Sequence, residues 1–332
     1  MRRVWWSLLL STGILSVGLV GCFHSQAKVP TYVLRYAENQ AFDYPTTQGG
    51  IYFAQLVEER TNGDIKIHMH YGEELGEESS VIQQVHFGGI DFARISTAQI
   101  IPYSEKHAVL ILPYLYRDNE HLWSVLDGEI GDSFLGEIGD SGLFGLSWYD
   151  AGARHFYTSA KQLTCLEDLQ GLKIRVQVSP YMEDVIRALG ADPVTIPYSL
   201  VYSNLSTGAV DGAENNWPSY ESMKHYQVAP YILLDGHVRI PEMQLMSAKT
   251  AAMLPKEYLQ IIQECAKESA EYERRLWAER ETASRKIAED AGVVIMNLSE
   301  DERLKFQQAC EPVYEKYAGD YLDIVQEILN TK

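Results

Sequence analysis

The sequence predicts an α/β protein built as two lobes joined by a hinge, with a cleft between them and long helices near its C-terminal end. Three observations carry this reading. Strand and helix patterns alternate, separated by short glycine-punctuated turns. Setting aside an apolar leader, Met1 to Gly21, about 310 of the 332 residues remain, enough for two cores. No repeat, low-complexity segment or Pro/Ser-rich linker interrupts them, so several crossing segments must join the lobes.

The elements follow in order. Tyr32 to Tyr36, rich in aromatic and β-branched residues, reads as a strand. The loop after it carries Glu38, Asn39, Gln40, Asp43 and Tyr44. Ile51, Phe53, Ala54, Leu56 and Val57 then form the apolar stripe of a helix, stopped at Asn62-Gly63. Ile65, Ile67, Met69 and Tyr71 alternate with polar residues as a second strand. Val81 to Phe87 is a helix ended by Gly88-Gly89, and Ile90 to Ile95 a strand. Such alternation leads us to expect largely parallel sheets. Thr164-x-x-Glu167 has the form of a capping box. On the strand after Gly171, Leu172, Ile174, Val176 and Val178 face one way, and Lys173, Arg175 and Gln177 the other. Ser179-Pro180 starts a helix ended by Gly190. Val194 to Ile196 is a strand, Ser199 opens a helix that ends at Gly208, and Val210 to Ala213 is a short strand. Pro255 to Asp290 is one long helical pattern, Val293 to Met296 a strand, and Ser299-x-x-Glu302 a second capping box. Helix is expected from there to near Lys332.

The ends and the composition bound the compartment and the partners. Arg2 and Arg3, the apolar run Trp5 to Val20 and the close Leu19-Val20-Gly21-Cys22 describe a secretory signal. The ending resembles the lipobox of bacterial lipoproteins, which implies a diacylglyceryl Cys22 as the first mature residue. The expected location is extracytoplasmic and lipid-anchored, in the periplasm or on the outer face of the cell membrane. A net charge of −18 excludes binding to nucleic-acid backbones. It also means that an anionic ligand needs local arginines to overcome the overall field. Cys165, Cys265 and Cys310 remain. An odd number cannot all pair, so buried free thiols are expected, with a Cys265–Cys310 bridge as the alternative. No C-x-x-C suggests a metal site.

Enzyme signatures are missing: no G-x-S-x-G, H-E-x-x-H, Walker loop or G-x-G-x-x-G after a strand, and nine scattered histidines without an i,i+4 helical pair. The expectation is a binding protein without catalytic residues, cofactor or metal. Carboxylate pairs such as Glu73-Glu74 and Glu77-Glu78 read as solvated faces. Arg175 stands out in LKIRVQV, a strand that should be largely buried. A buried guanidinium needs a partner, and two readings stand: an internal ion pair, or a ligand carboxylate held by two parallel hydrogen bonds. DGAENNWPSY, Asp211 to Tyr220, places two amides beside aromatic faces. That suits a sugar, or equally a turn with Asn215 or Asn216 capping a helix. Trp217 reads either as a stacking platform or as a core residue.

TNGDIKIHMHYGEELG, GGIDFARIS, LPYLYRD, GARHFYTS, LEDLQGLKIRVQVS, LGADPVTIP and STGAVDGAENNWPSY occur in this order across nearly the whole mature chain. They resemble the extracytoplasmic solute receptors of tripartite ATP-independent periplasmic (TRAP) transporters. The resemblance implies a two-lobed periplasmic-binding-protein fold with a central ligand cleft. It places residues 31–151 and about 240–279 in lobe I, and residues 152–239 and about 280–332 in lobe II. It implies that Arg175 pairs with the ligand carboxylate, assisted by Arg154 and Asn215. LSTGAVDG stands where the family commonly has LQTG, a difference at a helix end. Glu38, Asn39 and Asp43 on the first strand–helix loop, with Glu74 and Arg94 at strand ends, are expected to line the cleft from the other lobe. Acids and amides opposite an arginine suit a hexuronate such as glucuronate or galacturonate, delivered to membrane permease subunits. A C4-dicarboxylate or other small-acid receptor, a sensor module and a secreted enzyme acting on acidic sugars are the alternatives.

Overall fold

The computed structural model describes residues 29–332. The leader and Cys22 lie outside the described residues. The described residues form eleven strands: β1 (Tyr32–Ala37), β2 (Ile65–His70), β3 (Phe92–Ser96), β4 (Leu143–Tyr149), β5 (Ala153–Thr158), β6 (Lys173–Val176), β7 (Asp192–Thr195), β8 (Gly212–Asn215), β9 (Tyr231–Arg239), β10 (Glu242–Ser247) and β11 (Val294–Asn297). They make two sheets, ordered β2-β1-β3-β10-β4 and β11-β9-β5-β8-β6-β7. The chain passes between the sheets from β4 to β5, from β9 to β10, and along the helix Lys256–Asp290, which leads to β11.

That helix holds the halves together. At 35 residues it is about 52 Å long at ~1.5 Å per residue. Ile262, Cys265 and Ala266 pack into the core of the first sheet, with Phe53, Val57 and Ile65. Ala288 packs into the core of the second, with Tyr157, Val201 and Tyr220. Between them Trp277 meets Tyr44 and Ala151, beside the β4–β5 crossing. The C-terminal helices bridge as well: Phe306, Cys310 and Val313 share a core with Leu110 and with Met182.

Several expectations are corrected. The sheets are mixed: β10 runs antiparallel to both β3 and β4, and β5 antiparallel to both β8 and β9. β10 is buried at every position, so it has no alternating pattern to read. The cap after β5 sits one residue later than expected. The turn is Leu166–Leu169, and the Asp168 carboxylate accepts from the N–H of Thr164 (2.9 Å) and of Cys165 (3.3 Å), in place of Glu167. Ser299 does cap its helix, but the Glu302 carboxylate turns away to the N–H of Leu166 (3.2 Å). The last helical stretch breaks into Glu300–Ala309, Glu311–Ala318 and Leu322–Asn330, interrupted before Pro312 and at Gly319. Cys165, Cys265 and Cys310 are free thiols, which removes the Cys265–Cys310 bridge. The strand expected at Val210 to Ala213 falls at Gly212–Asn215, because Ala209 and Val210 spend their N–H groups on the Asn204 carbonyl, closing the preceding helix. This shift puts Asn215 at a strand end. No helix among the described residues is long and apolar enough to cross a membrane.

Candidate functional site

The two sheets face one another across a polar cavity. Its walls come from the C-terminal ends of β1, β3, β6 and β8, from the loop after β2 and from all three crossings. Three guanidinium groups line it: Arg94, Arg154 and Arg175. Each has five N–H donors, and their engagement separates the roles.

Arg94 commits all five. Nε lies 3.1 Å from both oxygens of Glu38, and Nη2 reaches Glu38 and Asn39. Nη1 donates to Glu242 (2.9 Å) and Glu78 (3.3 Å). Arg154 grips Glu214 through Nε and Nη2, and Nη1 donates to the Asn215 Oδ1 at 2.9 Å. Behind it, the Glu214 carboxylate also faces His237, 3.5 Å from Nε2, and His237 Nδ1 meets Asp235 at 2.7 Å. Burial works against the imidazolium, yet the two acids outweigh it and lift His237 to about 9. Burial likewise works against ionised Glu214, but Arg154 and His237 hold it down at about 2.

Arg175 is different. It is 2 % exposed, and Nε and Nη2 both donate to one neutral acceptor, the Ile196 carbonyl, at 2.9 and 2.7 Å. Among the described residues no carboxylate lies within 4.0 Å of it, and burial lowers its pKa. Both hydrogens on Nη1 and one on Nη2 are left uncommitted. The cavity lining holds further unspent polar atoms. Gln177 Nε2, Thr46 Oγ1 and the Tyr198 hydroxyl are buried without a partner, and such orphans in a native protein ask for a ligand or water. Asn215 spends Oδ1 on Arg154 and on the Asn216 N–H (2.9 Å), so its NH₂ is free for the cavity. Asn216 is the helix cap, accepting from Ser219 N–H at 2.8 Å. The capping reading thus falls on Asn216, while Asn215 lines the cavity.

The expected site residues divide. Arg175, Arg154, Asn215, Asn39 and Arg94 line the cavity. Glu38 sits beneath Arg94, buried. Glu74, Asp43 and Trp217 are placed elsewhere. Glu73 takes φ 64° and lines the cavity, whereas the side chain of Glu74 is 55 % exposed and meets His70 at 3.1 Å. Asp43 turns out to Arg280 (3.1 Å). Trp217 follows the Asn216 cap onto the opposite side of β8, where it packs edge-on to Tyr220 and contacts the His155 ring. Glu73, Glu77 and Glu78, expected as solvated faces, line the cavity instead, because the helix Glu78–Phe87 starts beside the end of β3: Glu78 accepts from Ser96 N–H at 2.6 Å. Glu242, Gln99, Gln177 and Tyr198 carried no sequence signal of their own. Away from the cavity, Cys165, Glu167 and Glu302 bring ligand atoms within 4.8 Å of one another, a grouping that exposed acids commonly make.

The rims of the cavity touch. Gln99 Nε2 donates to the Val178 carbonyl (2.8 Å), the Ser179 hydroxyl to the Ala98 carbonyl (3.0 Å), and the Tyr44 hydroxyl lies 2.9 Å from that of Ser219. Arg280 on the long helix bridges Asp43 and Glu221.

The comparisons with known proteins agree with this architecture. A solute-binding protein of Chromohalobacter salexigens is 32% identical over 281 residues, 85% of this chain and 83% of its own. A TRAP periplasmic solute-binding protein of Bradyrhizobium sp., solved with α/β-D-galacturonate, is 39% identical with a TM-score of 0.87, covering 90% of this chain and 99% of that one. One from Roseobacter denitrificans, solved with β-D-glucuronate, is 37% identical with a TM-score of 0.87, covering 90% and 100%. The family model for bacterial extracellular solute-binding protein, family 7, matches residues 36–320, and the chain, with its two-sheet fold and arginine-lined cleft, belongs to that family.

Proposed function

We propose that this protein is the extracytoplasmic receptor of a TRAP transporter and captures a hexuronate, glucuronate or galacturonate. One observation carries the reading: of three arginines in the cleft, Arg175 alone is buried with no carboxylate to neutralise it. A ligand carboxylate supplies the missing charge and takes two parallel N–H bonds, with Asn215 and the spare Nη1 hydrogen of Arg154 beside it. The opposite wall, with Asn39, Gln40, Gln99 and several glutamates, offers acceptors and donors for sugar hydroxyls. Glu38 acts indirectly, by fixing Arg94. The bound uronates of the similar structures support the choice of ligand class.

Capture works by closure. The moving units are residues 31–151 with about 240–279, and 152–239 with about 280–332, and ligand favours the closed form by the contacts it makes only there. The activity is binding without turnover, and the closed receptor hands its ligand to membrane permease subunits. Cys22, lipid-modified after removal of Met1 to Gly21, anchors the receptor at the membrane surface.

Titration calorimetry with glucuronate, galacturonate, succinate and malate tests the ligand class. We expect the uronates to bind and the dicarboxylates to bind at least tenfold more weakly, since no second arginine has free donors enough for a second carboxylate. A preference for succinate, or consumption of uronate on incubation, would reject this reading. Tyr44→Phe tests closure. Losing the contact with Ser219 costs about 0.5–1.5 kcal/mol, so uronate affinity should fall roughly two- to tenfold. An unchanged affinity would show that the rim contact does not stabilise the bound state.

A further inference from the structure

The wall opposite Arg175 holds more acid than base. Glu38 from the loop after β1, Glu78 from the start of the helix Glu78–Phe87 and Glu242 from the start of β10 all converge on the single guanidinium of Arg94. Their side chains are 0, 12 and 12 % exposed. Glu78 and Glu242 share one nitrogen, Nη1, at 3.3 and 2.9 Å. The neighbours add little positive charge. Glu73 and Glu77 line the same wall from the loop before the helix, Tyr36 on β1 is buried and neutral, and Glu273 approaches from the long helix. Arg154 on β5 is the other cation that acts on Glu242, and it is already spent on Glu214. One cation cannot neutralise three ionised carboxylates in a space shielded from water, and like charges so placed do not all ionise.

We propose that this cluster is a proton-binding site, with one proton shared between Glu78 and Glu242, and that uronate capture takes up that proton. This rests on the uronate-receptor reading. In an open cleft, water solvates the acids. Closure removes the water, and the ligand carboxylate at Arg175 brings another negative charge into the same cavity, so both changes favour protonation. The protonated pair then offers a ligand hydroxyl an O–H donor beside an acceptor, where two carboxylates offer acceptors only. In the closed arrangement burial, only partly offset by Arg94, holds Glu78 up at about 7 and also raises Glu242. The sign follows: a pKa higher in the bound than in the free state adds affinity below the free-state value, and that gain fades as pH rises through about 7.

Calorimetry of glucuronate and galacturonate in HEPES, imidazole and Tris at pH 7 counts the protons, because the observed heat varies with buffer ionisation enthalpy in proportion to uptake. We expect a positive uptake of up to one proton, largest between about pH 5 and 6.5, about half that at pH 7 and vanishing near pH 9, with a Kd that weakens by up to about tenfold per pH unit between pH 5 and 6.5 and levels off above about pH 8. Glu78→Gln and Glu242→Gln should each flatten that dependence. Should either variant fail to fold, infrared difference spectra of the unaltered protein should gain a protonated-carboxyl band on adding ligand. Zero uptake from pH 6 to 8 with uronate bound overturns the proton site and leaves the receptor reading standing, as does full uptake by both variants. No heat with either uronate in any buffer removes both.

Discussion

Replacing Arg175 with alanine should lower uronate affinity by about 10²–10⁴-fold. Two charge-assisted hydrogen bonds at about 1.5–3 kcal/mol each set that range. The free protein should unfold at nearly its original temperature. An uncompensated buried guanidinium is not a stabilising feature, and its two bonds share one carbonyl acceptor, that of Ile196. Calorimetry for binding and circular dichroism for the fold check both halves. Retention of affinity within threefold would refute the central assignment. Arg175→Lys should lose most of the affinity too, because a point charge cannot present paired planar donors to two carboxylate oxygens. If lysine binds as well as arginine, the two-bond geometry is wrong.

Glu214→Ala has the other large effect, and it falls on the fold first. The Glu214 carboxylate is fully buried, holds Arg154 through two nitrogens and faces His237. Its removal leaves the Arg154 guanidinium buried without a countercharge, a change that costs about 3–5 kcal/mol. Urea unfolding should show that loss, and uronate affinity should fall with it, because Arg154 and Asn215 lose their fixed positions. A pH series separates this from simple loss of packing. His237 titrates at about 9 in the fold, against about 6.5 unfolded. Its stabilisation is therefore complete below pH 6.5 and lost as pH rises through 9. Glu214, lowered to about 2 from 4.5, stabilises above pH 4.5, and that contribution disappears as pH falls towards 2. The variant should lose the acid-side contribution and much of the alkaline one. A urea midpoint equal to that of the unaltered protein at pH 7 would contradict the charge pairing.

Much of the fold was legible along the chain. β6 was readable because apolar and polar residues alternate between the Gly171 stop and the Ser179-Pro180 helix start, and the long helix because its composition and period persist over 35 residues. The second cap sat where Ser299 predicted it. β10 and the crossings escaped because strands buried on both faces lose their period. Of the residues that line the cavity, Arg175 and Asn215 stand out in the sequence by residue type and context, and Arg154 only by resemblance. Glu78 and Glu242 do not, since a carboxylate in an acidic chain looks the same whether it is solvated or buried.

By itself the sequence determined which residues share a strand face or a helix stripe, because those neighbours lie within a few positions and obey a fixed period. It thereby determined that a guanidinium would sit on an inner strand. Only the tertiary structure decided that this guanidinium would go without a countercharge. Arg94 meets Glu38 from 56 residues away and Glu242 from 148, and Arg154 meets Glu214 from 60. Coulomb attraction depends on separation in space, and separation in space is set by how the two sheets face each other, so no reading of local spacing assigns these acids to Arg94 and Arg154 and leaves Arg175 unpaired.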